Sequence, residues 1–445
     1  MKKTKILCIL LAFVLILTFA AACRTNDEPP SPTPEPASTT DPEPTPAETA
    51  PPEQQAEPDA VTLKWAVWDI ETVSYYTPLI DAYKEIAPHI TIELVDLGSD
   101  NWNEVIQTHL IGLHDYDLIK VRNIAGYELH VNADLLLPLG NMASAREITI
   151  GDFMGIPEQF TIHGNFYALP FKSDFWVVYY NMDLFDEAEV AYPNNQMTFD
   201  DWVSIIKLVT HGSGEEKVWG NFFHNWRSAT TLFGILDGEH TINDGSYDFL
   251  APYYEAVLEL EDGGFVPRRT DMLAGGIGYR DVWEPGYTAQ INMGTWFIAD
   301  ALQADFNWGI AAYPVPAPAN YGNTFGQVTQ LAIPRIANHP EEAMDFITFA
   351  TGSQGAQVIA ATGQIPAMMT DAVLDIFSAI PGFPQDETTR GALRPRNIIL
   401  EQLPQEQAGE TNTILNEIHS EIMDRAITIE DGIAMMNERV GAILH

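Results

Sequence analysis

Of the side chains in this sequence that could do chemistry, the histidines and carboxylates come first, because metal and acid–base sites are built from them. His109 and His114 are five apart, a spacing that does not put them on one helical face, and no H-E-x-x-H occurs. Asp244-Gly-Ser-Tyr-Asp248 lacks the ligand spacing of a calcium loop. No P-loop, no G-x-S-x-G elbow and no dinucleotide glycine fingerprint is present. Both cysteines, Cys8 and Cys23, fall in the first 23 residues, so the remainder can form neither a disulfide nor a thiolate metal site. The sequence thus predicts no metal site, no cofactor and no catalytic residue. What remains is aromatic faces set beside polar groups: Trp68-Asp69, Asn225-Trp226-Arg227, Trp283-Glu284 and Gly294-Thr-Trp296. Their chemistry is recognition, by stacking and by directional hydrogen bonds. Ten tryptophans are present, and most tryptophans in a body this size are core, so position must select among them.

Charge narrows the partners. Sixty-two acidic residues against 22 basic ones leave a formal net charge of −40. That excludes nucleic-acid binding, which takes clustered Lys and Arg, and docking on anionic lipid through a basic patch. The N-terminus gives a different membrane link. Lys2, Lys3 and Lys5 precede an apolar run from Ile6 to Phe19, too short for a span of ~20 residues, and Ala20-Ala21-Ala22 follows. Residues 1–22 are therefore expected to be an export signal. Small residues directly before Cys23 resemble the lipobox of bacterial lipoproteins, which implies lipidation of Cys23 and anchoring at the extracytoplasmic face of the cell membrane. From Arg24 to Ala60, eleven of 37 residues are proline and nine acidic. Such a segment cannot bury enough apolar area to order itself, so residues 23–60 are expected to be an extended tether.

The body begins at Val61. Val61 to Trp68 alternates and reads as a strand; Tyr75 to Ile86 has helical apolar spacing and stops before Pro88; Ile90 to Leu97, Trp102 to Leu113 and Asp117 to Val121 read as strand, helix and strand. That alternation predicts a mainly parallel α/β sheet with its ligand crevice beyond the C-terminal strand ends, where Trp68-Asp69 and Arg122-Asn123 stand.

Gly164-Asn-Phe-Tyr-Ala-Leu-Pro170-Phe, followed by Tyr180-Asn181-Met-Asp-Leu-Phe185, resembles the family 1 extracellular solute-binding proteins of ABC importers. Met197-Thr-Phe-Asp-Asp-Trp202, Asp262-Gly-Gly-Phe-Val-Pro267, Asn292-Met-Gly-Thr-Trp296, Trp308 to Pro316 and Gln364-Ile-Pro366-Ala continue the likeness in order. The resemblance implies a two-lobed, type II periplasmic-binding-protein-like α/β fold with the ligand between the lobes. It implies lobe 1 from 61–172 plus 328–372 and lobe 2 from 173–327 plus 373–445. It also implies a monomeric, non-enzymatic protein that binds a mono- or oligosaccharide and passes it to the permease subunits.

A pyranose offers apolar C–H faces to aromatic rings and a belt of hydroxyls to charged and amide groups. On that basis the expected ligand contacts are Trp68, Asp69, Arg122, Asn123, Tyr180, Trp226, Trp283, Trp296 and Gln327. Tyr180 follows from the Y-N motif, Gln327 from the second crossover, and Trp296 from a strand end beside Gly294. Three other readings stay open: a glycoside-cleaving enzyme with paired carboxylates, a lipoprotein that senses or adheres to polysaccharide without transport, and the same fold with a non-sugar ligand. The anchor is the most directly testable part. Cys23→Ala is expected to move the protein from the membrane fraction to the soluble fraction with its folded body intact, and fractionation followed by immunoblotting reads the result.

Overall fold

The structure, a computed structural model, describes residues 59–405 and 407–444. The export signal, Cys23 and nearly all of the tether lie outside the described residues. Eight strands form the sheet: β1 (Val61–Val67), β2 (Ile90–Asp96), β3 (Leu118–Val121), β4 (Ala168–Asn181), β5 (Gln290–Gly294), β6 (Trp308–Ala312), β7 (Asn323–Ala332) and β8 (Asn397–Leu400). The first three arise as the alternation predicts, with helices Tyr76–Ile86 and Trp102–Ile111 between them. Tyr76, Leu79 and Tyr83 bury one stripe of the first helix, and Trp102, Ile106 and Leu110 one stripe of the second.

β1 pairs in parallel with β2 and with β3. The parallel pattern then ends, which corrects the expectation of a mainly parallel sheet throughout. β7 runs antiparallel to β3 and β4, and β4 runs antiparallel to β5 and β6; only β8 returns to parallel pairing, on β7. β4 is the long strand of the sheet, 14 residues. Its first half pairs with β7 from Ala168↔Ala332 to Phe175↔Gly326. Its second half, Trp176 to Asn181, pairs with β5 on one side and β6 on the other. One strand thus serves two groups of partners, and the expected crossover positions, 172/173 and 327/328, fall inside β4 and β7 where these two strands are paired.

Two groups of buried side chains flank this strand. One gathers Trp65, Tyr76, Phe171 and Phe346, with Trp65 edge-on to the other three at 5.3–6.2 Å. The other, larger, holds Trp202, Phe233, Tyr254 and Trp283. Trp202 enters it from helix Phe199–Val209, whose start is fixed by a reciprocal cap between Thr198 and Asp201, and its indole N–H donates to Gln290 on β5 at 2.9 Å.

At the end of β4, Tyr180 lies opposite Gly309 of β6, and a Cβ at 309 would come within 2.5 Å of the Tyr180 ring. The glycine is there for close approach. Gly309→Ala is expected to force the ring aside and to lower stability by about 1–3 kcal/mol, read by denaturant or thermal unfolding.

Candidate ligand-binding site

Two adjoining cavities open where β4 and β7 pass from one set of partners to the other. The first has a volume of ≈ 570 Å³ and the second ≈ 250 Å³; Gln327, Glu401 and Asn412 line both. Three indoles wall the larger one. Trp176 leaves β4 at the point where its pairing switches, and Gly294, opposite it on β5, precedes Trp296. A Cβ at 294 would lie 1.8 Å from the Trp296 ring, so only glycine lets that ring fold back over the strand end. Trp296 stands edge-on to Trp176 at 5.7 Å; Trp226 approaches Trp176 at 6.4 Å and Trp296 at 6.3 Å. Trp176 is buried against Phe325, while Trp226 and Trp296 are 40% and 37% exposed, so the outer two offer free surface. An exposed pair of rings on a buried third is a platform for an apolar face.

Polar groups converge on the same space. The Arg227 guanidinium is almost wholly buried; its Nε donates to Asn416 Oδ1 at 3.0 Å and its Nη2 to Asn412 Oδ1 at 2.9 Å. Helix Arg227–Thr231 is tied in this way to helix Ala408–Met423, where Asn412 and Asn416 are one turn apart. Glu401 Oε1 lies 3.9 Å from Arg227 Nη2, and Gln327 Nε2 donates to Glu401 Oε2 at 3.2 Å. The carboxylate is held between a cation and an amide and keeps acceptor capacity for a third partner. His419, buried at the back, meets the Tyr254 hydroxyl; burial, with Arg227 and Arg269 nearby, brings its pKa down to about 3, so the imidazole is neutral at ordinary pH.

Among the expected contacts, Trp226, Trp296 and Gln327 line the larger cavity, and Asn123 and Gln327 the smaller. Asn123 also caps helix Ile124–Asn132, its Oδ1 accepting from Gly126 N and from Asn103 Nδ2. Trp68, Asp69 and Arg122 line neither cavity and form a separate group at the ends of β1 and β3. Trp68 is half-buried, with Lys120 Nζ 3.2 Å from its ring centroid and Trp102 edge-on at 4.8 Å. Asp69 takes a left-handed φ of 55° as the chain turns after β1, and Arg122 Nη1 donates to the Ser99 carbonyl at 2.6 Å.

Two expectations are corrected. Tyr180 is buried beside Phe185 and Tyr192, and burial pushes its phenol well above the ordinary value. Its neighbour Asn181 caps helix Met182–Glu187. Trp283 is fully buried among Tyr179, Phe297 and Phe306 at 5.1–6.3 Å, because Tyr179–Trp283 contact and the short helix Tyr279–Trp283 turn it inward while its charged neighbours stay outside. Trp176, Glu401, Asn412 and Asn416 were not singled out by sequence reasoning. The i, i+4 spacing of two amides on one amphipathic helix was the available signal for the last two.

The sequence matches the family of bacterial extracellular solute-binding proteins over residues 69–357. No curated protein matches it. Among solved structures, it is similar to a sugar transporter from Rhizobium etli in an open conformation, at 38% identity and a TM-score of 0.84, over 86% of this chain and 100% of that one. The fold is also that of the sugar-binding protein MalE from Xanthomonas citri (14% identity, TM-score 0.73, 86% of this chain and 97% of that). A third likeness is to an ABC substrate-binding protein of Listeria monocytogenes in complex with cycloalternan (16% identity, TM-score 0.68, 87% and 99%). The type II periplasmic-binding-protein fold expected from the sequence is therefore present.

The geometry separates two tryptophans. Trp296→Ala is expected to weaken ligand binding roughly 5- to 150-fold with a near-parental melting temperature, the loss of about 1–3 kcal/mol of stacking. Trp283→Ala is expected to do the reverse, costing about 3–5 kcal/mol of stability with affinity retained by the folded fraction. Titration calorimetry and thermal unfolding on the two variants distinguish them.

Proposed function

The chain belongs to the family of bacterial extracellular solute-binding proteins, and from that premise we propose that it captures a carbohydrate outside the membrane and delivers it to an ABC permease. The observation that carries this reading is the larger cavity, where Trp226 and Trp296 offer exposed faces beside Glu401, Gln327 and the amides of Asn412 and Asn416. Ring faces match the C–H faces of a pyranose; an oriented carboxylate and amides match its hydroxyls. The smaller cavity continues past Gln327 and Glu401 without a tryptophan and extends the site beyond one ring.

Binding without catalysis fits the same side chains. Glycoside hydrolysis takes two carboxylates across the scissile bond, and Glu401 is the carboxylate lining these two cavities. In this reading residues 61–172 with 328–372 and residues 173–327 with 373–445 act as two lobes that close on the solute, and ligand contacts to both select the closed state. Cys23 carries the lipid, residues 24–60 hold the body away from the bilayer, and the body acts as a monomer. No helix among the described residues is long and apolar enough to cross a membrane.

A saccharide-library thermal-shift screen tests the reading, since a ligand at 100 times its Kd stabilises by about 2.7 kcal/mol. Binding is expected to raise the melting temperature, to leave the saccharide chemically unchanged, and to be weakened by Glu401→Gln. Release of smaller sugars from a bound oligosaccharide would replace the reading with an enzymatic one.

A further inference from the structure

Most lysines and arginines of the body sit against a carboxylate, as a chain of this acidity makes easy. Three neighbouring cations do not. No ion pair among the described residues involves Lys120, Lys172 or Arg122. Lys120 is fully buried, and its ammonium donates to the Tyr75 and Tyr76 hydroxyls at 2.8 and 2.6 Å beneath the Trp68 ring. Lys172 donates to Gln364 Oε1 at 2.6 Å and stands 5.4 Å from the Tyr75 ring centroid, which Lys120 approaches at 5.3 Å. Arg122 lies 5.8 Å from the Trp68 ring.

Buried charge is costly unless paired, and two lysines flanking one tyrosine also repel each other. No nearby carboxylate touches them. Asp96 spends its oxygens on the backbone N–H groups of Asp69, Ile70 and Gly98, and Asp174 accepts from the Thr295 hydroxyl. Asp69 acts on Lys120, and Asp174 on Lys172, only at a distance.

The strand register connects this cluster to the site. Lys120 is opposite Leu331, Lys172 opposite Thr329, and Asp174 opposite Gln327. Directly paired residues share a sheet face, as do alternate residues of one strand. One face therefore runs from Lys120 past Lys172 to Gln327, which lines both cavities. Arg122 adjoins Asn123, which lines the smaller cavity.

We propose that the solute is an anionic saccharide, a sugar chain bearing a uronate-type carboxylate, whose neutral part stacks in the tryptophan cavity and whose acidic group lies on the face carrying Lys172 and Arg122. This rests on the carbohydrate reading above. Lys172 is half-buried and Arg122 exposed, so these two meet the ligand, while Lys120, whose charged form is disfavoured by burial and by its cationic neighbours, fixes the Trp68 ring from behind.

The test is calorimetry on the full chain with three panels: uronic-acid oligosaccharides of several linkages, their carboxyl-reduced neutral forms, and sulfated oligosaccharides. Uronates are expected to bind at least roughly 10-fold more tightly than their reduced forms, the scale of charge-assisted hydrogen bonds. Lys172→Gln and Arg122→Gln are each expected to erase that preference. Lys172→Gln should also leave the ligand-free melting temperature unchanged or raised, because it removes a repulsive charge. Equal or tighter binding of the neutral forms, indifferent to Lys172→Gln, would overturn the anionic assignment and leave carbohydrate binding standing. Preference for the sulfated panel would overturn the carboxylate assignment. Binding in no panel would remove both.

Discussion

Backbone pairing along β4, with one register shift between Pro170 and Lys172, sets the position of the strands that meet at the cavity. Its 14 residues are hydrogen-bonded to β7 through Phe175 and to β5 and β6 from Trp176 onward. The change of partners leaves a seam in the sheet, and a seam is where side chains lose neighbours on one side. Trp176 stands at that point, and Gln327 lies two residue pairs away on β7, opposite Asp174. The cavity is thus a product of strand length, since a β4 that stopped at Phe175 would have no second set of partners to diverge toward.

The seam is closed from behind by chain that arrives late. β8 adds to β7 in parallel, delivering Glu401 just past its last residue, and helix Ala408–Met423 brings Asn412 and Asn416 against Arg227. A guanidinium held by two neutral amides is oriented without being neutralised, which lets Glu401 remain at 3.9 Å with acceptor capacity to spare. At the other end of the same sheet face, Lys120 is held by tyrosine hydroxyls and an indole ring, again without a carboxylate in contact.

Alternation and helical spacing located β1 to β3 and their helices to within a residue or two, because those elements bury one regular face each. The placement of the indole at 296 on the larger cavity was legible for a similar local reason, a glycine closing the strand two residues before it. Trp283 was not. Its neighbours are charged, but even a five-residue helix can be amphipathic, and Tyr279–Trp283 turns the Trp283 ring into the core. Tyr180 failed through register: next to the last residue of a strand paired on both sides, its ring had no direction but inward. Glu401, Asn412 and Asn416 were beyond local reading, since they reach Gln327 and Arg227 only through pairings across roughly 75 to 190 positions of sequence. The antiparallel turn of the sheet was hidden likewise, because strand direction belongs to the partner and not to the segment.

The unpaired cations have a kinetic side as well. A chain of net charge −40 presents a repulsive field to any negative solute, and at physiological ionic strength that field reaches about 8 Å from the surface. Lys172 and Arg122 act inside that distance, on a molecule that has already arrived. For the anionic saccharide proposed above, electrostatic steering would therefore be reversed: the encounter would be slowed and the residence lengthened. Outside the cell, where solutes diffuse away once released, a slow exit retains what a fast entry would only sample.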